Sequence, residues 1–196
     1  MCLKRMMDVL VSSLALLFLW PLMVVIAIAV KLESPGPVIY RALRVGKYGR
    51  KFDCYKFRTM VAGSDVLKES LNRLNQRRGP FFKIADDPRV TRFGRFLRKH
   101  SLDELPQFWN ALKGDMSLVG PRPHPLDDCA RYRPGDYQRL QVKPGITGLW
   151  QVIARRNPSF ETCMTLDLAY IKNWGLRLDF EILLRTVPAV LSGEGE

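Results

Sequence analysis

Two adjacent carboxylates, Asp103 and Glu104, follow a stretch of chain dominated by arginine and lysine. Neighbouring side chains on a helix point about 100° apart. One carboxylate is then free to attack a phosphorus atom while the other holds a divalent cation, which with nearby arginines offsets phosphate charge. The tetrad Ser101-Leu102-Asp103-Glu104 also spells a capping box, in which Ser and Glu satisfy each other's backbone donors at a helix start. Acidic residues in a first turn complement the helix dipole as well. The four residues alone leave both readings open. Arg122 lies between Pro121 and Pro123, so its guanidinium is delivered with little backbone entropy left to lose. Its planar fork suits phosphate oxygens; a solvated connector is the plainer alternative. Arg58, Arg98 and Arg155-Arg156 read singly as surface charges.

The whole chain of 196 residues carries a net charge of +12. The excess is confined to one half: residues 1–100 hold 20 Lys/Arg against 7 Asp/Glu, and residues 101–196 hold 11 against 12. Such a half is built to meet nucleic acid, a lipid surface or a phosphorylated substrate. The length suits one domain with its own core, and 10% aromatics exclude a disordered tail. Cys2, Cys54, Cys129 and Cys163 show no CxxC spacing, which speaks against a zinc site or disulfide scaffold and suits a reducing compartment.

The elements that must position these residues begin with an apolar run. Val9–Val30 is 22 residues without a charge. As a helix it would be about 33 Å long, enough for a hydrocarbon core of ~30 Å. It is too long for a signal-peptide core and is expected to be retained. Lys4 and Arg5 precede it; Lys31, Arg41, Arg44 and Lys47 follow. Both flanks therefore prefer the cytoplasmic side. Pro21 removes a backbone hydrogen bond near the middle, costing ~3 kcal/mol unless the helix bends. Bent there, each arm is too short to span but able to dip in and return; a Pro-kinked spanning helix is the alternative.

Ser34-Pro35-Gly36-Pro37 ends the helical arm. Val38-Ile39-Tyr40 and Phe52–Phe57 read as strands of a hairpin turning at Gly46–Gly49. Residues 64–78 read as a polar helix, followed by a loop through Gly79-Pro80 and Asp86-Asp87-Pro88. Val90–Lys99 is a basic amphipathic helix, suited either to anionic lipid or to packing on the core. Leu102–Leu112 and Phe160–Lys172 are helical. Gly120–Pro125 and Pro144–Gly148 read as rigid loops. Trp174–Leu191 suits the membrane interface, interrupted by Pro188.

The order of motifs is distinctive. Lys4-Arg5-x-x-Asp8, the apolar run with its Pro, Ser34-Pro35-Gly36-Pro37 and Tyr55-Lys56-Phe57-Arg58-Thr59-Met60 come first. Ser101-Leu102-Asp103-Glu104-Leu105-Pro106-Gln107, Lys113–Pro123 and Lys143–Val152 follow. Together they resemble the bacterial sugar transferase family, the monotopic phosphoglycosyl transferases, from about residue 3 to 187. The chain looks like the small form, without the multi-span region that larger members carry in front.

The resemblance implies transfer of a sugar-1-phosphate from a UDP-sugar to undecaprenyl (polyprenyl) phosphate with release of UMP. This is the first membrane step of exopolysaccharide, capsule, O-antigen or glycoprotein glycan synthesis. By it Asp103 is the nucleophile, forming an aspartyl-phosphosugar intermediate, and Glu104 ligates Mg²⁺. Arg122, Arg98 and Arg58 match positions near the phosphates, and Arg155 one near the nucleotide. The implied fold is an α-rich α+β one. A re-entrant membrane helix over 1–33, broken at Pro21, precedes a catalytic domain over 34–196 with short hairpin strands and interfacial amphipathic helices, on the cytoplasmic face of a bacterial inner membrane. Two departures from the family stand out: Trp20 occupies the place of the usual Ser before Pro21, and Ile153-Ala154-Arg155 replaces a Ser-Gly-Arg or Asn-Gly-Arg. A non-catalytic scaffold and a membrane-tethered nucleic-acid binder are the rival functions. No nucleic-acid recognition motif favours the second, and the intact Asp103, Glu104 and Arg122 set disfavours the first.

Overall fold

A computed structural model describes residues 2–64, 84, 87–155, 157 and 159–193. The first element, α1, runs from Cys2 to Glu33. Pro21 lies inside this helix and does not end it, so the chain resumes helical conformation directly beyond it. Its buried residues fall in two groups, Asp8 with Ser12 and Ile26 with Val30. Between them Leu14, Leu17, Phe18, Trp20, Leu22, Val24 and Val25 are exposed. Length and composition suffice for α1 to cross a membrane.

The hairpin follows as expected but with longer strands. β1 (Ile39–Val45) and β2 (Lys51–Phe57) pair antiparallel, from Ile39 opposite Phe57 to Val45 opposite Lys51. The polar helix expected over 64–78, apart from Ser64, and the loop after it, apart from Ile84, Asp87 and Pro88, lie outside the described residues. Next, α2 spans Arg92–Lys99, capped by the Thr91 side chain, which accepts from the Gly94 amide. The helix expected over Leu102–Leu112 is in fact two pieces: a 3-10 turn at Leu102–Glu104, and α3 at Gln107–Lys113 with Pro106 as its N-cap. Proline has no N–H to donate back into the turn before it, so the two pieces separate there.

The second sheet takes one strand from a segment expected as a rigid loop, Pro144–Gly148, and the other from just before the Gly120–Pro125 loop. β3 (Ser117–Val119) and β4 (Gly145–Thr147) pair in parallel, Ser117 opposite Gly145 and Val119 opposite Thr147. Three residues each is too short for a period-2 pattern to be visible in sequence. The backbones approach so closely that a Cβ on Gly145 would collide with Gly120. Between these strands lie α4 (Leu126–Cys129) and a 3-10 run, Pro134–Gln141.

After β4 come α5 (Leu149–Ile153), α6 (Phe160–Lys172) and α7 (Leu176–Leu191). The boundaries of α6 match the sequence reading, with the Ser159 hydroxyl capping its start. Pro188 is contained within α7 rather than interrupting it. On α7, Phe180, Leu184, Val187 and Leu191 are exposed at helical spacing, a continuous apolar stripe. All four cysteines are free, and Cys54, Cys129 and Cys163 are buried as small apolar groups.

Both ends of α1 dock on the same body. Near its start, Lys4 Nζ donates to Asp179 (2.6 Å) and to the Val119 carbonyl (3.0 Å). Arg5 donates to the carbonyls of Ala111 and Leu112, covering the unsatisfied end of α3. Asp8 accepts from the Ser117 hydroxyl and the Leu118 amide. At the other end Ile26 and Val30 pack with Phe57 and Leu97, and Glu33 accepts from the Phe93 amide at 2.7 Å.

Candidate active site

Asp103 and Glu104 are presented by the 3-10 turn that follows Ser101. Ser101 adopts a left-handed conformation, φ 55°, and its side chain caps nothing. An N-cap needs extended backbone to aim its hydroxyl at the first turn, so the capping-box reading does not hold. The left-handed conformation costs a non-glycine residue roughly 1–2 kcal/mol. The Ser101 hydroxyl accepts instead from Arg155 at 3.2 Å.

Both carboxylates are buried, and they line a cavity of about 410 Å³. Its wall brings together every arginine singled out in the sequence for phosphate or nucleotide contact: Arg58, Arg98, Arg122 and Arg155. Lys56 and Arg44 line it too. Among the described residues the lining therefore carries six cations and two carboxylates. Sequence reasoning passed over Lys56 and Arg44, although a signal existed. Lys56 stands directly opposite Tyr40 in the hairpin, and strand residues two apart share a face, which places Lys56 beside the Arg58 position.

Lys56 joins the two carboxylates. Its Nζ lies 2.6 Å from Glu104 Oε1 and 3.6 Å from Asp103 Oδ2. Arg122 reaches Glu104 Oε1 at 2.8 Å and Oε2 at 3.4 Å. Burial pushes the Asp103 carboxyl above the usual range, against the pull of Lys56. Burial acts the same way on Glu104, but Arg122 and Lys56 override it and hold that group well below the carboxylate range. Two adjacent acids thus have environments that drive their proton affinities apart.

The arginines are held differently. Arg98 Nε donates to Thr59 Oγ1 at 2.9 Å. Arg58 is buried and uses Nη2 on the Ser34 carbonyl, the Ser34 hydroxyl and the Val30 carbonyl, tying the site to the end of α1. Among the described residues its Nε and Nη1 have no hydrogen-bond partner, and both are sealed from solvent; leaving a buried charged donor unmet is costly. Gly36 (φ 122°) permits that placement, because a Cβ there would collide with the Arg58 guanidinium.

Mg²⁺ is tested by the donor set. Two hard carboxylate oxygens beside a phosphate-sized basic cavity match a cation that takes one or two carboxylates plus substrate phosphates. Glu104 stays ionised, and among the described residues its Oε2 has only the 3.4 Å contact. The residues fit.

Behind the Arg122 loop lies a second polar cluster that the sequence did not announce. Arg139 donates to Asp167 at 2.5 and 3.1 Å, to the Tyr132 hydroxyl at 2.6 Å, and to the Arg122 carbonyl at 2.8 Å. Since Arg139 can only donate, Tyr132 gives its own proton to His124 Nδ1 at 2.7 Å. His124, Cys163 and Asp167 lie close enough to suggest a metal site. Arg139 already holds Asp167 Oδ2, however, and with Tyr132 donating to Nδ1 the neutral His124 carries its proton on Nε2, the nitrogen 3.9 Å from Cys163 Sγ.

Comparison with known proteins gives the family of the chain. The family model described as bacterial sugar transferase matches residues 1–193. The chain is 47% identical over 197 residues to an undecaprenyl-phosphate galactose phosphotransferase of Salmonella typhimurium, covering 98% of this chain and 41% of that protein. It is 43% identical over 198 residues to a UDP-glucose:undecaprenyl-phosphate glucose-1-phosphate transferase of Xanthomonas campestris pv. campestris, covering 96% and 38%. It is also 42% identical over 196 residues to the exopolysaccharide production protein ExoY of Rhizobium meliloti, covering 98% and 87%. The chain thus spans about two fifths of the first two proteins and most of the third.

Proposed function

The chain belongs to the bacterial sugar transferase family, and we propose that it moves a sugar-1-phosphate from a UDP-sugar to undecaprenyl phosphate, initiating exopolysaccharide or related glycan synthesis. The observation that carries this reading is the buried Asp103–Glu104 pair within a cavity lined by six cations. An Asp103 oxygen attacks the phosphorus bearing the sugar. The bond from that phosphorus to the bridging oxygen breaks, and UMP leaves with that oxygen. The acyl phosphate so formed conserves group-transfer potential, so a water-soluble donor and a lipid acceptor react in turn at one site. An oxygen of undecaprenyl phosphate then attacks the same phosphorus, and the Asp103 oxygen is released as carboxylate.

Arg122, Arg98 and Arg58 neutralise the phosphoryl oxygens as charge shifts between them. Arg155 serves the nucleotide end. Lys56 holds the two carboxylates in register, and Glu104 with the substrate phosphates would hold Mg²⁺. When bound, that ion supplies further neutralisation of the diphosphate.

The membrane arrangement follows from α1. A spanning helix would carry one end away from a catalytic body lying on one side. Here both ends dock on that body while the exposed residues are apolar between them, which supports a re-entrant arm over 1–33 on a monotopic catalytic unit over 34–196. Basic residues flank the run on both sides, which supports the cytoplasmic face. The α7 stripe and Phe96, half exposed on basic α2, suit the anionic lipid surface beneath.

UMP release should be measured over a panel of UDP-sugars with undecaprenyl phosphate and Mg²⁺. Release with one or two sugars, lost in Asp103→Asn and with EDTA, is expected. Binding of a UDP-sugar without turnover would turn the reading toward a scaffold.

A further inference from the structure

The charged cavity has a neighbour of opposite character. Pro37 and Tyr40 line it on one side and also line an open groove of about 780 Å³. The rest of the groove includes Met23 from α1, with Pro106 and Trp109 from the start of α3. Trp109 is 49% exposed and Tyr40 42%, large apolar surfaces left uncovered beside a site that otherwise handles phosphate.

We propose that this groove seats the first isoprene units of the polyprenyl acceptor, leading from the apolar arm of α1 past Trp109 to Tyr40, where the phosphate enters the charged cavity. The inference rests on the transferase reading and assigns the acceptor's path to it. An amphiphile attacking the phosphorus held at Asp103 must bring its phosphate among arginines while its chain stays out of water. A chain drawn across a charged rim would strip solvent from ions without replacing it. The groove removes that conflict, since its walls are mostly aromatic, proline, isoleucine and thioether groups, with Arg41 as the charged residue among them, and it shares two residues with the reaction cavity. Met23 supplies the second half of the argument: the groove opens against the helix that carries the chain's apolar surface. A methionine and two aromatic faces also suit a flexible, branched hydrocarbon better than a hydroxyl-rich sugar, which needs donors and acceptors.

The test separates the two half-reactions, using the full chain in detergent or nanodiscs. With UDP-sugar and no acceptor, unsubstituted protein and Trp109→Ala should release the same stoichiometric burst of UMP. With undecaprenyl phosphate, Trp109→Ala should raise the acceptor KM about tenfold at little change in kcat, and Trp109→Phe should restore it. A second measurement needs no substitution: a diazirine-bearing prenyl phosphate should crosslink to peptides containing Met23 or Trp109, with undecaprenyl phosphate competing. An unchanged acceptor KM in Trp109→Ala overturns the proposal. So does a raised KM for the UDP-sugar alone, which would give the groove to the donor, and so does crosslinking elsewhere. Absence of any UMP burst from unsubstituted protein strikes the transferase reading instead, and the crosslinking still decides the groove.

Discussion

Two clusters of buried charge lie back to back in this molecule, joined by the Arg139 bond to the Arg122 carbonyl. In the first, Asp103, Glu104, Lys56 and Arg122 face an open cavity whose described lining carries six cations to two carboxylates. In the second, Arg139 meets Asp167 with almost no exposure on either side chain. Burial holds His124 neutral, well below its ordinary range, helped by the arginines around it. Burial raises Asp167 as well, and Arg139 opposes the rise. The second cluster is closed and balanced; the first is open, and its described lining is mostly cationic. A buried ion pair by itself is therefore no mark of a site. What marks one is charge gathered around space that a ligand can enter.

This contrast predicts effects of different kinds and sizes. Asp103→Asn should lower UMP release by about 10⁴-fold or more while the melting temperature stays close to that of the parent chain. Near-parental turnover would strip the open cluster of its chemistry. Arg139→Ala should instead cost ~3–5 kcal/mol of folding stability, because it strands Asp167 buried and unpaired. Denaturant unfolding measures this, and Arg139→Met with Asp167→Leu should recover much of the loss. A stable but inactive Arg139→Ala protein would break the comparison. Arg122→Lys keeps the charge but loses the fork, so kcat/KM should fall roughly 10²-fold with little change in stability. Smallest of all, one equivalent of Zn²⁺ should leave the melting temperature unmoved. A rise would mean that His124, Cys163 and Asp167 accept a metal in spite of Arg139 and Tyr132.

Legibility in the sequence differed between parts of the chain for physical reasons. Long periodic elements were readable: α6 has the boundaries that its pattern predicts, and the hairpin turns where Gly46–Gly49 allow. Proline was the poorest guide. Pro21 and Pro188 both sit inside helices, whereas Pro106 separates a turn from α3. The difference lies in context that propensity does not contain. The parallel β3–β4 pair could not be foreseen, because each strand is three residues long and their partners lie far apart in sequence.

The site divides in the same way. Residue type and setting were enough to single out Asp103, Glu104 and Arg122, because phosphate chemistry needs carboxylates and fixed cations, whereas Arg58, Arg98 and Arg155 read singly as surface charges and were named only through the family resemblance. Sequence could not decide whether Ser101 and Glu104 cap a helix or whether Glu104 faces arginines. That depended on a left-handed Ser101 and on Lys56 and Arg122 arriving from β2 and from the loop after β3. Nor could it show that the arginines converge, since Arg58 and Arg155 are nearly a hundred residues apart. Chemical identity is local and is written in each side chain. Convergence, burial and the resulting gathering of positive charge exist only once distant segments share one low-dielectric space.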